Sequence, residues 1–266
     1  MYETRYHRPS TLAEAASLFA AGADARYLAG GQTLIPTMKQ RLAAPSDVID
    51  IVRLPDLQGI SVGADSVVIG GAATHAAVAA SDAIRKAIPA LADLARTIGD
   101  PAVRHRGTIG GSLANNDPAA DYPAAVMALN ATIRTDKRTI AAEDFFQGLF
   151  STVLEAGELI TSVSFPVPAR AAYAKFRNPA SRYAMAGVFV AKLKDDAVRV
   201  GVTGAHGDGV CRSAEIERAL TASWTPEAVE AVTISPEGML SDIHGSAAYR
   251  ANLVKVMAKR AVAATT

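Results

Sequence analysis

Cysteine is almost absent: Cys211 is the one thiol in 266 residues. No disulfide can form within the chain, and no thiolate set could hold zinc or an iron-sulfur cluster here, so any such redox centre must sit on a partner. An excess of either charge is missing as well. Lys plus Arg number 27 against 26 for Asp plus Glu, a net charge of +1, which excludes binding nucleic acid through a strong positive field. Nowhere do about 18 apolar residues run uninterrupted, and Met1 to Ser10 contains no apolar segment of the kind a secretion signal needs. The expectation is a cytoplasmic protein with no transmembrane segment. Five histidines, at 7, 75, 105, 206 and 244, show no metal-ligand spacing, so no metal is expected and these side chains read as structural or solvated.

What is present fits a globular chain with one large domain or two small ones. Thr11 and Glu14 form a capping box ahead of a helix that Gly22 ends. Arg26 to Ala29 reads as a strand, followed by a Gly-Gly turn and a helix over Thr33 to Leu42, where Pro36 is tolerated only in the first turn. Short strands are expected at Asp47 to Val52, Gly59 to Val62 and Val67 to Ile69. Helices follow at Thr74 to Ala80 and at Asp82 to Ile98, the second kinked or split by Pro89. Asp100 to Tyr122 loses periodicity and reads as a long functional loop. A helix at Tyr122 to Ala131 and strands at Thr132 to Thr135 and Glu158 to Phe165 lead to Pro166 and Pro168, a candidate boundary. Beyond it, a hairpin of Val188 to Leu193 and Val198 to Thr203 turns at Asp195-Asp196, and helices follow at Ser213 to Ala222, Pro226 to Val232 and Ser246 to Ala264.

Two glycine clusters carry the chemistry. Ala29-Gly30-Gly31-Gln32-Thr33-Leu34-Ile35 lies between a strand and a helix, where a backbone without side chains can approach a ligand and free N–H groups can hold an anion such as a pyrophosphate. Gly107-Thr108-Ile109-Gly110-Gly111-Ser112, followed by Asn115, Asn116, Asp117 and Asp121, offers N–H groups, hydroxyls and carboxylates in one stretch. Neither cluster fits the G-x-G-x-x-G dinucleotide fingerprint or the Gly-Lys-Ser/Thr ending of a P-loop. Asp117 and Asp121 are not accompanied by a nucleophile or base motif, so they read as cofactor ligands and loop-closing residues.

The stretches AGGQTLIPTMKQRL at residues 29 to 42 and RGTIGGSLANNDPAADYPAA at 106 to 125 resemble the FAD-binding medium subunit of molybdenum hydroxylases, including carbon monoxide dehydrogenase, and the flavin domain of xanthine dehydrogenase. YHRPSTLAEAASL, TIGDPAVRHRGTIGG, GELITSVSFPVP and KFRNPASRYAMAGVFVA extend the likeness over nearly the whole chain. The resemblance implies an α+β fold. A two-subdomain FAD-binding domain of the vanillyl-alcohol-oxidase (PCMH) type would span residues 1–168, with subdomains of about 1–54 and 55–168. A small α+β C-terminal domain, a three-stranded sheet plus a helical bundle, would span 169–266.

By the same resemblance, Ala29 to Ile35 wrap the FAD diphosphate, with N–H groups of Gly30, Gly31, Gln32, Thr33 and Leu34 as donors, and Thr108, Ile109, Gly110, Gly111 and Ser112 complete the cradle. Gln32 stands where some relatives have histidine. Asn115 and Asp121 would make polar contacts with FAD, Ile98 and Ile160 apolar or backbone contacts, and Lys175 and Tyr183 would lie near the flavin. The implied role is electron transfer. Substrate is oxidised at molybdopterin on a large subunit, electrons pass through iron-sulfur clusters of a small subunit to FAD on this chain, and leave to quinone, NAD or dioxygen. No residue of this chain is then a general acid or base. A dimer of heterotrimers is implied, cytoplasmic or peripheral at the inner membrane through the complex. A free-standing FAD oxidase or dehydrogenase of the same fold, and a non-catalytic nucleotide-binding module, stand as alternative readings.

Overall fold

A computed structural model describes residues 1–265. The chain begins with β1 (Arg5–His7), α1 (Leu12–Ala21), β2 (Ala25–Leu28), α2 (Leu34–Lys39) and β3 (Asp47–Asp50), and its strands form a parallel sheet in the order β1-β3-β2. The capping box is in place: Thr11 Oγ1 accepts the Glu14 N–H at 3.1 Å, while the Glu14 carboxylate turns back and accepts from the N–H and hydroxyl of Ser10. Strand β3 is central and buried, and the carboxylate of its first residue, Asp47, accepts from Arg5 and Ser46 and bonds His7. Those contacts fasten β1 to β3.

Next come β4 (Ile60–Val62), β5 (Ser66–Gly70), α3 (His75–Ala80), α4 (Asp82–Ala87), α5 (Pro89–Thr97), α6 (Pro101–Arg106), α7 (Ile109–Asn115), α8 (Tyr122–Ala128), β6 (Thr132–Thr135), β7 (Thr139–Ala141), α9 (Ala142–Phe145) and β8 (Ile160–Pro166). The strands form an antiparallel sheet in the order β4-β5-β8-β6-β7. Val67, Ile69, Val163 and Phe165 alternate inward against Leu91, Leu94 and Val126 to make the main core. The helix expected over 82–98 splits at Pro89, which opens α5 because Ile88 leaves the helical region at φ −139°.

The stretch 100–122, expected as one long loop, contains α6 and α7. Asp100 caps α6 by accepting the Val103 N–H, with Pro101 in the first turn, and Thr108 caps α7 by accepting the Gly111 N–H. Residues that signal loops also start helices, and these helices are too short for periodicity to register.

The last part holds β9 (Arg170–Arg177), β10 (Ala184–Lys192), β11 (Val198–Thr203), β12 (Cys211–Arg212), α10 (Ala214–Ala222), α11 (Pro226–Glu230) and α12 (Ala247–Ala263). The three-stranded sheet expected here has a two-residue fourth member, giving the order β12-β11-β10-β9. Strand β10 is apolar on both faces. Phe189 and Ala191 enter the main core, whereas Val188 and Val190 pack into a second core with Val254, Met257 and Ala258 of α12.

Candidate functional site

The first glycine cluster leaves the sheet where β2 ends. The Ile51 N–H donates to the Leu28 carbonyl at 3.0 Å, and the chain then turns through Gly31 at φ +70°, a left-handed conformation that disfavours any side chain. Helix α2 closes its first bonds one residue later, with Ile35 N–H on Gly31 O and Thr37 N–H on Thr33 O. Among the described residues, the N–H groups of Gly30, Gly31, Gln32, Thr33 and Leu34 therefore reach no protein acceptor. Ile35 lies outside the cavity wall, its N–H engaged and its side chain packed behind Gly31.

The two clusters touch. A Cβ on Gly30 would collide with the Arg106 carbonyl oxygen and lie 2.6 Å from the Cα of Gly107. A Cβ on Gly111 would lie 2.9 Å from Thr108 Oγ1 and 3.5 Å from the Ala29 side chain. Between them opens a cavity of about 700 Å³, within the range of small-molecule and cofactor sites. Ala29, Gly30, Gly31, Gln32, Thr33 and Leu34 line one side, and Thr108, Gly111, Ser112 and Asn115 the other.

The second cluster does not supply a backbone cradle of the expected kind. Ile109 N–H donates to Ala73 O at 3.1 Å and Gly110 N–H to Gly71 O at 2.9 Å, so both face the β5 side and neither residue lines the cavity. Gly110 is small because Gly71 presses on it: a Cβ there would lie 2.6 Å from the Gly71 carbonyl oxygen. The Gly111 and Ser112 N–H groups are engaged on Thr108. What this side offers is the Thr108 N–H, which has no protein acceptor among the described residues, together with the side chains of Ser112 and Asn115. Ile160 is also outside the wall, buried in β8, and residues 154–158 stand there instead.

Ile98, Asp117, Asp121, Lys175 and Tyr183 all line the cavity. Asp121 and Lys175 form an ion pair at 2.9 Å with side chains only 5% and 2% exposed. The other Asp121 oxygen accepts from Tyr173 at 2.5 Å, so this carboxylate serves first to neutralise the buried ammonium. Asp117 accepts the Ala119 N–H, and its burial raises its pKa. Tyr183, 51% exposed, stands at the end of a turn held by Asn178, and burial, then Asp117 and Asp121, raise its phenol pKa.

Several wall residues escaped the reading of the sequence. Tyr27 stacks on Phe19 with ring centroids 4.9 Å apart and donates to Gly157 O at 3.3 Å; burial, then Asp136, raises its pKa to about 12. The segment 154–158 is held by Glu158, which accepts from Arg138, Thr135 and the Glu155 N–H. Arg138 chiefly, against burial, brings the Glu158 pKa down to about 2. His75 stands between the clusters, its N–H on Gly107 O at 2.9 Å. Only the quoted GELI motif hinted at the 154–158 wall, and no local pattern ties His75 to residue 107.

Residues 2–168 match the family described as "FAD binding domain in molybdopterin dehydrogenase". The chain is similar to the nicotine 6-hydroxylase medium subunit of Paenarthrobacter nicotinovorans, 38% identical and aligned over 97% of this chain and 95% of the relative. It is also similar to the carbon monoxide dehydrogenase medium chain of Hydrogenophaga pseudoflava, at 34% identity over 97% and 95%. Among solved structures, reconstituted CO dehydrogenase from Oligotropha carboxidovorans superposes with a TM-score of 0.90 at 34% identity, covering 99% of this chain and 97% of that one.

Proposed function

The chain belongs to the family of FAD-binding domains in molybdopterin dehydrogenases, and from that premise we propose that it is the FAD-carrying, electron-transferring subunit of a molybdenum-containing oxidoreductase complex. The observation that carries the reading is the row of unpartnered N–H groups from Gly30 to Leu34, facing Thr108, Ser112 and Asn115 across one cavity. A dinucleotide's diphosphate needs several donors on a backbone that lets it come close, and this row fits that need without a lysine or a metal ion. When bound, FAD supplies a redox group that accepts electrons singly and releases them singly or in pairs.

The chain's own residues bind and orient. The Gly30 to Leu34 amides hold the diphosphate, with Thr108, Ser112 and Asn115 opposite. The Lys175–Asp121 pair leaves that part of the wall close to neutral, so it raises no strong field against a change of flavin charge. Tyr183, partly exposed, and Asp117 complete the wall beside the pair. No proton transfer is assigned to any of them.

The assembly completes the proposal. A large molybdopterin subunit oxidises the substrate, a small iron-sulfur subunit delivers electrons, and an external acceptor (quinone, NAD or dioxygen) removes them. Two such heterotrimers pair, in the cytoplasm or peripherally at the inner membrane. In support, the relatives are named as medium chains or subunits, and among the described residues no helix is long and apolar enough to cross a membrane. The division of the chain at 168, with subdomains 1–54 and 55–168 before it and 169–266 after it, belongs to the same proposal and is supported by the change of sheet between β8 and β9.

Native purification through this chain tests the assignment. Flavin, iron and molybdenum are expected to co-elute with a larger and a smaller partner, and the flavin should bleach with substrate only when both are present. Turnover by the chain alone, or a colourless complex, would contradict it.

A further inference from the structure

His75 opens α3 and is 5% exposed, yet among the described residues its Nδ1 is enclosed without a hydrogen-bond partner and its Nε2 bonds no protein atom either. Buried polar atoms are nearly always satisfied, and of the two ring nitrogens Nε2 is the one not enclosed and so free to take a partner from outside the protein. Its ring fills the space left by the missing side chain of Gly107, where a Cβ would lie 2.6 Å from Nε2 and 2.8 Å from Cδ2. Gly107 is also the residue against which Gly30 is pressed. The Nε2 edge therefore lies against Gly107, where the two clusters meet, and His75 is part of the cavity wall. On its other side the ring packs against Tyr122, centroids 5.4 Å apart.

Burial, with Arg104 as a lesser cause, lowers the imidazole pKa to about 4, so the ring is neutral at neutral pH and carries a single N–H. A proton on Nδ1 would be enclosed with no acceptor, whereas Nε2 is not enclosed and belongs to a residue that lines the cavity. Nδ1 is then the bare acceptor; it and the buried Tyr122 hydroxyl each lack a partner among the described residues.

We propose that His75 is a cofactor-holding residue whose Nε2–H donates to a diphosphate oxygen of the bound dinucleotide, extending the backbone row from Gly30 to Leu34 with a side-chain donor. The assignment rests on the FAD reading above. Because the donor is neutral, it adds a hydrogen bond without changing the charge of a wall in which the buried Lys175 ammonium is already paired with Asp121.

The test uses the full chain stripped of flavin, titrated calorimetrically with FAD, with ADP as a diphosphate probe and with riboflavin as a probe lacking it. His75→Leu should bind FAD and ADP about 10- to 100-fold more weakly, the range for one hydrogen bond to a charged group, with riboflavin unchanged. His75→Gln, whose amide nitrogen can take the place of Nε2, should recover most of the loss. Independently of any variant, the ring ¹⁵N spectrum of the wild-type chain should show a neutral His75 protonated at Nε2 that shifts on adding ADP. Undiminished ADP affinity in His75→Leu, an equal loss for riboflavin, or a ring resonance that ADP leaves unmoved would overturn the proposal. A wild-type chain that binds neither FAD nor ADP would instead refute the FAD reading itself.

Discussion

At the scale of single residues, glycines of the two clusters do different work. Gly31 is required by its φ of +70°, and Gly30 by the Arg106 carbonyl against it, whereas Gly110 serves the packing of α7 on Gly71. Gly30→Ala should therefore separate the two clusters, lower stability by about 2 kcal/mol through overpacking, and lose FAD beyond what the lower melting temperature explains. Gly110→Ala should lower the melting temperature comparably, with FAD affinity per folded molecule nearly retained; flavin fluorescence beside thermal melts distinguishes the two. Such differences are not legible in the motifs, because Gly-Gly reads alike whether it meets a ligand or a neighbouring strand. Ile109 and Gly110 look like donors until their acceptors, Ala73 and Gly71, are placed beside them.

Glu158 gives a pH prediction at the same scale. Its carboxyl pKa falls to about 2 in the folded chain, chiefly through Arg138, against about 4.3 when unfolded. A depressed carboxylate contributes stability that is complete above the unfolded value and is lost as pH falls through the folded one. Between about pH 5 and 2 the wild type should lose on the order of 2 kcal/mol from this group, after allowing for the half-exposed Arg138. Glu158→Gln should flatten that limb of a urea-stability profile, and an unchanged acid slope would remove Glu158 from this role.

At the scale of elements, strands with clear alternation and helices with caps were legible: β5 and β8 from Val67, Ile69, Val163 and Phe165, α1 from Thr11, and the split at Pro89. Strand β9 was not, since Arg-Ala-Ala-Tyr-Ala-Lys-Phe-Arg mixes small, aromatic and charged residues over two half-buried faces. Helices α6 and α7 were hidden by their own caps. The approach of α8 to β11 was invisible as well, and it depends on Gly201, where a Cβ would run into the Ala124 carbonyl. Gly201→Val should push these layers apart and cost several kcal/mol, read as a fall in the denaturation midpoint at unchanged slope.

At the scale of the whole molecule, the sheet of β9 to β12 stands between two cores. Phe189 and Ala191 belong to the main core and Val188 and Val190 to the second, so neither core is complete without β10. The chain should unfold in a single step despite the change of sheet after β8. The sole tryptophan, Trp224, packs on the second core, so its fluorescence reports that layer while far-ultraviolet circular dichroism reports the whole. The two urea transitions should coincide, and a separate, earlier fluorescence transition would show that the layers fold independently.

The central claim is that FAD is held by the free amides at the end of β2. Hydrogen-deuterium exchange of the flavin-stripped and FAD-loaded chain tests it directly. The amides of Gly30 to Leu34 should exchange quickly without the cofactor and be strongly protected with it, while Ile109 and Gly110, already bonded to Ala73 and Gly71, should change little. Equal exchange at Gly30 to Leu34 in the two states, with FAD demonstrably bound, would contradict the account.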